Sequence, residues 1–150
     1  MIEILPIGKV TSTRAVAEDD YWDAETSTIQ LVPPFGERSL MGLSTFSHCI
    51  VVYLFDKAQW DEAKMSRHPR GNQDWPEVGI FAQRAKDRPN RLGVTVCRIL
   101  SVDGSILRVA GLDAIDGTPV VDIKPWINEF GPRGAITQPE WATELMKDYW

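Results

Sequence analysis

Short strand-like segments, separated by turn residues, run along most of this chain and constrain its fold more than any other feature. The clearest is Phe46 to Phe55, which is rich in aromatic and β-branched side chains. Its almost continuous apolar character predicts a strand buried on both faces. Leu92 to Val102 and Ser105 to Ala110 flank Asp103-Gly104, a pair typical of a type I′ hairpin turn.

Four weaker segments also have strand character: Ile2 to Val10, Thr28 to Val32, Val78 to Ala82 and Thr118 to Lys124. The first contains Pro6 and Gly8, which suits an edge or bulged strand. A length of 150 residues favours one domain. About seven strands of this kind predict a mainly β fold. We expect a single antiparallel β-barrel domain over residues 1–150, with a long irregular loop at residues 57–77.

Helical signals are few. Glu37 to Leu43 predicts a short helix that ends at Gly42. Near the C-terminus, Pro139 suits the first position of a helix. The residues Trp141, Leu145 and Met146 then form one apolar stripe. The barrel should therefore carry a short C-terminal helix.

Charge is unevenly distributed along the chain. The formal net charge is −5, which by itself argues against a wholly basic nucleic-acid-binding protein. Residues 64–98, however, hold eight basic and three acidic side chains, a net charge of +5. This basic middle is either a solvated loop face or the contact surface for an anionic partner.

Several classes of function lack their sequence signals. Cys49 and Cys97 both lie in strand-like segments, where free cysteines are usually small buried apolar residues. No Cys or His spacing typical of a metal site occurs, so we expect no metal. Nucleotide-binding glycine motifs and the G-x-S-x-G motif are also missing. The longest apolar run, Cys49 to Phe55, is too short to span a bilayer, so we expect no membrane partner.

Polar groups interrupt the apolar pattern at three places. Ser47-His48 begins the strongest strand. Gln83 to Arg91 is dense in arginine, whose guanidinium group binds carboxylates and phosphates. Gly111 to Pro119 contains two acids, and Asp122 and Lys124 follow in the next strand. The last two segments carry more charge than a turn requires.

Taken in order, these segments resemble the TsaA-like family, also called TrmO or YaeB. The resemblance covers roughly residues 4–127. Its motifs are Pro6-Ile7-Gly8, Leu43 to His48, Val78 to Arg84, Arg88-Pro89-Asn90 with Leu92-Gly93, Leu112-Asp113, and Asp116 to Trp126. The last motif is the longest and the most specific.

The resemblance implies a β-barrel methyltransferase that uses S-adenosylmethionine. Members of that family form homodimers with the cofactor near the subunit interface. Their characterised activity is N6-methylation of threonylcarbamoyl-adenosine next to the tRNA anticodon. The implied partners are therefore tRNA and a second copy of the chain. The cytoplasm is the expected location on separate grounds, because two lone cysteines suit a reducing compartment.

The resemblance also implies site residues. Those expected to bind the cofactor are Asp56, Lys57, Arg84, Val94, Ala114, Ile115, Asp116 and Gly117. Arg88, Asn90 and Lys124, which lie in the family's motifs, are expected to bind the substrate. Arg91 departs from the family sequence but is also expected there, because its guanidinium group suits a phosphate or a carboxylate. If the methyl acceptor is an N–H group, Asp113 or Asp122 is the candidate general base. Trp22, Tyr53 and Trp126 are candidates for an aromatic wall beside the sulfonium.

The chain departs from the family pattern in several places. Where relatives have a basic segment before the second strand, Glu18 to Glu25 is acidic and aromatic. Larger members also carry a C-terminal domain for which this chain is too short. Two alternatives therefore stay open: a barrel that methylates a small molecule, and a non-catalytic module that binds the cofactor.

Overall fold

Six strands form a closed antiparallel barrel in a computed structural model that describes residues 1–150. The strands of the chain are β1 (Gly8–Ser12), β2 (Thr26–Leu31), β3 (His48–Leu54), β4 (Ser66–Arg67), β5 (Val78–Gly79), β6 (Leu92–Asp103), β7 (Ile106–Ala110) and β8 (Pro119–Pro125). The order around the barrel is β1-β2-β7-β6-β3-β8, and β4 and β5 form a separate small hairpin. The predicted mainly β barrel is confirmed.

Two predicted strands are shorter than expected. β1 begins at Gly8 rather than Ile2, and the residues before Ile7 are exposed. A Cβ atom at Gly8 would lie 2.9 Å from the carbonyl oxygen of Gln30, so glycine permits the close approach of β1 to β2. The segment Val78 to Ala82 contains only the two residues of β5, because its partner β4 is equally short. A 3₁₀ turn follows at Ile80–Ala82.

β3 alternates in burial rather than being buried on both faces. Cys49, Val51 and Tyr53 point into the barrel and are at most 1% exposed. The intervening side chains, Ile50 and Val52 among them, are half-buried on the outer face. The expectation of two buried faces is therefore wrong for one chain, because a barrel wall covers only the inner face of its strands.

The two cysteines lie directly opposite each other on β3 and β6. Both are free and buried, as predicted. Burial raises the pKa of the Cys49 thiol to about 12 and raises the pKa of Cys97 as well. Both side chains therefore serve as neutral parts of the apolar core.

The hairpin between β6 and β7 has a two-residue loop, Gly104 and Ser105. Only Gly104 has a positive φ, +59°. A type I′ turn requires a positive φ at both loop residues, whereas type II′ requires it only at the first. The hairpin prediction is confirmed, but the turn matches type II′ rather than type I′.

Three of the connections between barrel strands, including the longest, lie at one end of the barrel. They are the β1–β2 loop (residues 13–25), the β3–β6 loop (residues 55–91) and the β7–β8 loop (residues 111–118). We call this the loop end. The β2–β3 connection and the β6–β7 hairpin lie at the opposite end, because all neighbouring strands are antiparallel.

Both predicted helices are present and short. Helix α1 covers Glu37–Leu40, and a 3₁₀ turn follows it at Leu43–Thr45. Helix α2 covers Glu140–Leu145, with Pro139 one position before its first residue. Its predicted apolar stripe is half-buried. Neither helix is long and apolar enough to cross a membrane.

The segment after α2 packs on the loop end. The amides of Tyr21 and Trp22 donate hydrogen bonds to the carbonyl oxygens of Asp148 and Tyr149, each at 2.9 Å. The indole of Trp75 also donates a hydrogen bond to Glu144. The C-terminal segment therefore contacts both the β1–β2 loop and the β3–β6 loop.

Candidate functional site

A carboxylate surrounded by hydroxyl groups lies at the loop end. Asp113 is half-buried just after β7. Its Oδ1 accepts hydrogen bonds from Tyr53, at 2.8 Å, and from Thr95. Its Oδ2 accepts a hydrogen bond from Tyr149. This predicted catalytic residue therefore joins two barrel strands to the C-terminal segment.

Local geometry explains how Tyr53 reaches Asp113. Gly93 lies opposite Tyr53 across the β3–β6 ladder. A Cβ atom at position 93 would lie 2.5 Å from the tyrosine ring, closer than real contacts allow. Glycine at this position therefore leaves space for the ring, and the hydroxyl reaches the carboxylate inside the barrel mouth.

Burial, together with a neighbouring negative charge, raises the pKa of both tyrosines. Burial raises the pKa of Tyr53, and the negative charge of Asp113 adds to that effect. The pKa of Tyr149 is raised by the same two causes, while the positive charges of Arg84 and Arg70 act in the opposite direction. Asp113, the two tyrosines and these arginines thus form one electrostatic cluster.

Two of the predicted cofactor residues meet on the barrel wall. Arg84 donates a hydrogen bond from its guanidinium group to the carbonyl oxygen of Val94. The Val94 side chain is 44% exposed on the outer face of β6. The β3–β6 loop therefore returns across the outside of the strand that follows it.

The predicted turn Ala114 to Gly117 is bound to the β1–β2 side of the loop end. Asp116 Oδ1 accepts a hydrogen bond from the Ser12 amide at 3.1 Å, and the Asp116 amide donates to the carbonyl oxygen of Arg14 at 2.7 Å. Gly117 has a φ of +86°, which favours glycine. The Asp116 carboxylate remains exposed at the surface of this turn.

The remaining basic residues of the predicted site mostly support the β3–β6 loop itself. Arg91 donates hydrogen bonds to the carbonyl oxygens of Asp56 and Ala58. Arg88 donates a 2.7 Å hydrogen bond to the carbonyl oxygen of Gln83. The side chains of Asp56, Lys57 and Asn90 are exposed.

Asp122 and Lys124 lie away from this cluster. They form an ion pair of 2.9 Å with each other on β8. Asp122 lines a pocket of about 580 Å³ together with residues of the β2–β3 connection, such as Phe35 and Phe46. The two candidate bases, Asp113 and Asp122, are therefore not in one site.

The acidic stretch in the β1–β2 loop pairs with arginines. Arg14 forms a 2.9 Å ion pair with Glu25. Arg70 pairs with Asp20 at 3.0 Å, and Arg98 pairs with Asp23 at 2.9 Å. The sequence suggests an exposed acidic segment that would repel a polyanion. In the structure, these acids instead neutralise arginines from three parts of the chain.

The three aromatic residues expected beside the sulfonium are not gathered. Trp22 is 2% exposed, with the Arg14 guanidinium 4.0 Å from its ring centroid. Tyr53 is buried in the barrel, and Trp126 follows β8 at the opposite end. The predicted aromatic wall is therefore wrong for this conformation, because two of its members are covered by their own chain.

Sequence reasoning missed three polar residues of the loop end: Arg14, Arg70 and Tyr149. Arg14 stands alone between uncharged residues, and Tyr149 is close to the C-terminus. No local pattern distinguishes either of them. Arg70, by contrast, belongs to the basic middle, and that excess of positive charge was the available signal.

A sequence model of one protein family, the tRNA-methyltransferase O N-terminal domain, matches residues 15–131. This chain belongs to that family. The matched range includes the β3–β6 and β7–β8 loops and most of the β1–β2 loop. The resemblance to the TrmO family is thereby confirmed.

Similar proteins agree with this assignment. A probable S-adenosyl-L-methionine-binding protein of Methanothermobacter thermautotrophicus is 36% identical, over 89% of this chain and 96% of its own length. The human tRNA (adenine(37)-N6)-methyltransferase is 36% identical, over 69% of this chain and 23% of its own length. The crystal structure of TrmO from Pseudomonas aeruginosa superposes with a TM-score of 0.75 at 29% identity, covering 95% of this chain and 63% of that chain.

The chain is shorter than many of its relatives. The matched regions cover between 34% and 55% of the length of three further curated relatives. The family domain is thus the part of those proteins that this chain shares.

Proposed function

We propose that this TrmO-family chain is an S-adenosylmethionine-dependent methyltransferase that acts on tRNA adenosine. The observation that carries the proposal is the family match over residues 15–131, which includes almost the whole loop end. The names of relatives, a tRNA (adenine(37)-N6)-methyltransferase and an S-adenosyl-L-methionine-binding protein, support the activity and the cofactor. A tRNA substrate also implies a cytoplasmic location, which cell fractionation tests.

The side chains of the loop end fit the cofactor chemically. Arg84 presents a guanidinium group suited to a carboxylate. Asp116 is exposed, so its carboxylate can accept hydrogen bonds from hydroxyl or amino groups. With Asp56, Lys57, Val94 and the turn Ala114 to Gly117, these residues are the proposed cofactor site. When bound, S-adenosylmethionine would supply an electrophilic methyl group.

The protein's contribution to methyl transfer is mainly positioning, because an in-line displacement depends on alignment. Arg88, Asn90 and Arg91 are the proposed substrate contacts at the loop end. Lys124, also expected to bind the substrate, lies on β8 away from them. Of the two candidate bases, we favour Asp113, since it lies in the electrostatic cluster with Arg84. Tyr53 and Thr95 both donate to its Oδ1, whereas Oδ2 accepts only the Tyr149 hydroxyl and keeps a lone pair that can take a proton.

A second copy of the chain completes the proposed site. Ile50 and Val52 are half-buried on the outer face of β3, and Val94 and Val96 are 44% and 45% exposed on the neighbouring β6. This apolar face adjoins Arg84. A homodimer through it would bury both faces of β3, the burial that its sequence indicates. Light scattering should give twice 16.9 kDa for the native chain and a monomer for Val96→Lys.

Methyl transfer is tested directly with labelled S-adenosylmethionine and tRNA that lacks methylation. We expect the label in adenosine. Arg84→Gln should abolish the thermal stabilisation by the cofactor, whereas the matched change Arg108→Gln, on the outer face of β7, should keep it. Absence of label from every RNA tested would contradict the proposed activity.

One observation favours a small-molecule substrate as the second candidate. Arg14, Arg70 and Arg98 are paired with acids of the β1–β2 loop, so these cations are not free for a polyanion. A methyltransferase that labels a small acceptor and binds RNA no more tightly than DNA would support this alternative.

A further inference from the structure

The loop end also holds a pocket whose lining is mainly cationic, unlike the cluster around Asp113. It has a volume of about 420 Å³ and lies within the β3–β6 loop. Four of its eight lining residues are cationic: Lys57, Lys64, Arg67 and Lys86. Two are acidic, Asp61 and Asp87, so the pocket has a net charge of +2.

The cations of this pocket have no partners within the chain. No carboxylate oxygen lies within 4.0 Å of their charged nitrogens, since every ion pair of the chain involves other basic residues. The Nε of Arg67 is buried and has no hydrogen-bond partner. A buried guanidinium nitrogen without an acceptor is costly, which indicates that an external acceptor completes it.

The two acids of the pocket serve the loop's own backbone. Asp61 Oδ1 accepts a hydrogen bond from the Ala63 amide at 3.0 Å, and Asp87 Oδ1 accepts one from the Gln59 amide at 3.2 Å. The Lys64 amide also donates to the carbonyl oxygen of Asp61, which closes a turn. These acids therefore shape the pocket without neutralising the lysines.

We propose that this pocket binds a backbone phosphate of RNA, with the neighbouring base against Trp60. Lysine ammonium groups and an arginine guanidinium are the usual protein partners of phosphate. Trp60 is half-buried and is the one apolar residue of the lining. Aromatic side chains beside cations are typical of single-stranded RNA sites. The inference rests on the proposed RNA substrate and adds a binding surface beside the proposed cofactor site, which shares Lys57 with the pocket.

The test compares two double variants that each remove two positive charges. Lys64→Gln/Lys86→Gln changes the pocket and leaves Lys57 in the proposed cofactor site untouched. Arg38→Gln/Arg108→Gln changes exposed residues on α1 and β7. All four side chains are exposed, and unfolding curves check that both variants remain folded. Fluorescence anisotropy measures the dissociation constant for an RNA hairpin at several salt concentrations.

We expect the pocket variant to lower the slope of log affinity against log salt by about 0.7–0.9 for each phosphate that the pocket no longer neutralises. Trp60→Leu should weaken RNA binding at least about fivefold and leave that slope unchanged. The control variant should keep the native slope. Equal slopes for the pocket and control variants would overturn the proposal.

A free phosphate compound is the other source of the same chemistry. Inorganic phosphate and adenosine monophosphate are therefore tested by thermal shift on the same variants. If they stabilise only the native pocket while RNA affinity is unchanged, the RNA assignment is overturned. If the pocket variant has a reduced salt slope but the native protein methylates no RNA, the proposed function fails and the phosphate site stands. If the native protein methylates RNA but the pocket variant keeps the native salt slope, the proposed function stands and the phosphate site fails.

Discussion

The β1–β2 loop and the β3–β6 loop lie at the same end of the barrel but treat their charges in opposite ways. In the first, the acids are held against Arg14, Arg70 and Arg98. In the second, a pocket of four cations lacks carboxylate partners. The acids of the β1–β2 loop therefore form ion pairs with arginines of the same chain. In the β3–β6 loop, a modest excess of positive charge leaves cations without partners and available for a ligand.

The largest difference between the loops should appear in stability. Arg14 is 12% exposed, donates hydrogen bonds to two carbonyl groups besides its ion pair with Glu25, and lies on Trp22. Arg14→Gln should lower the free energy of unfolding by about 2–4 kcal/mol, because it leaves a partly buried carboxylate and these carbonyls unpaired. The matched change Lys64→Gln should alter the free energy of unfolding by no more than about 0.5 kcal/mol. Urea unfolding measures both, and similar losses would break the comparison.

A second prediction concerns the C-terminal segment that contacts both loops. Tyr149→Phe removes one of the three hydroxyl donors of Asp113. We expect the free energy of unfolding to fall by about 1–2 kcal/mol, since hydrogen bonds to charged groups contribute more than those between neutral groups. The amides of Tyr21 and Trp22, which bond to this segment, should exchange hydrogen faster. Tyr21→Phe, an exposed residue, is the control, and unchanged amide exchange in Tyr149→Phe would contradict the anchoring role.

A third prediction tests whether the acids cover the arginines. Asp19→Asn/Asp20→Asn removes the two carboxylates that pair with Arg70. The freed guanidinium should raise affinity for RNA about threefold or more at low salt, and the gain should vanish at high salt. The control Asp103→Asn/Glu129→Gln makes the same charge change at exposed residues outside the loop end. If both variants gain equally, net charge rather than uncovering of Arg70 explains the effect.

The smallest effect concerns pH and the β1–β2 loop. The pKa of Glu25 is lowered from 4.5, first by the hydrogen bond from Thr13 and then by Arg14. The folded state therefore favours the ionised carboxylate more than the unfolded state does. This contribution to stability is present above about pH 4.5 and is lost as the pH falls through the lowered folded-state pKa. Glu25→Gln should be less stable than the native protein at pH 7 and should approach it at acid pH. A stability difference that does not depend on pH would exclude this linkage.

Much of the fold could be predicted because strand signals are local. The apolar run of β3, the Asp-Gly pair before β7 and the apolar stripe of α2 each depend on neighbouring residues. Their failures were local as well. The type I′ turn was wrong because only one of the two loop residues, Gly104, has a positive φ. β5 is shorter than predicted because its partner strand has only two residues.

The candidate site was only partly predictable. Arg84 and Val94 do meet, and the turn Ala114 to Gly117 does reach the loop end. Asp113 and Asp122 carry similar sequence signals but lie in different places, because β8 runs from the loop end toward the opposite end of the barrel. No spacing in the sequence indicates that Tyr149 reaches Asp113.

By itself, the sequence determined the strands, the turn positions and membership of the TrmO family, because periodicity, turn residues and motifs are all written in short stretches of chain. Only the tertiary structure decided which charges remain available. Asp20 meets Arg70 across 50 positions and Asp23 meets Arg98 across 75, and barrel closure brings each pair together. The same closure leaves the lysines of the β3–β6 pocket without partners, a property of the folded surface that the net charge of −5 conceals.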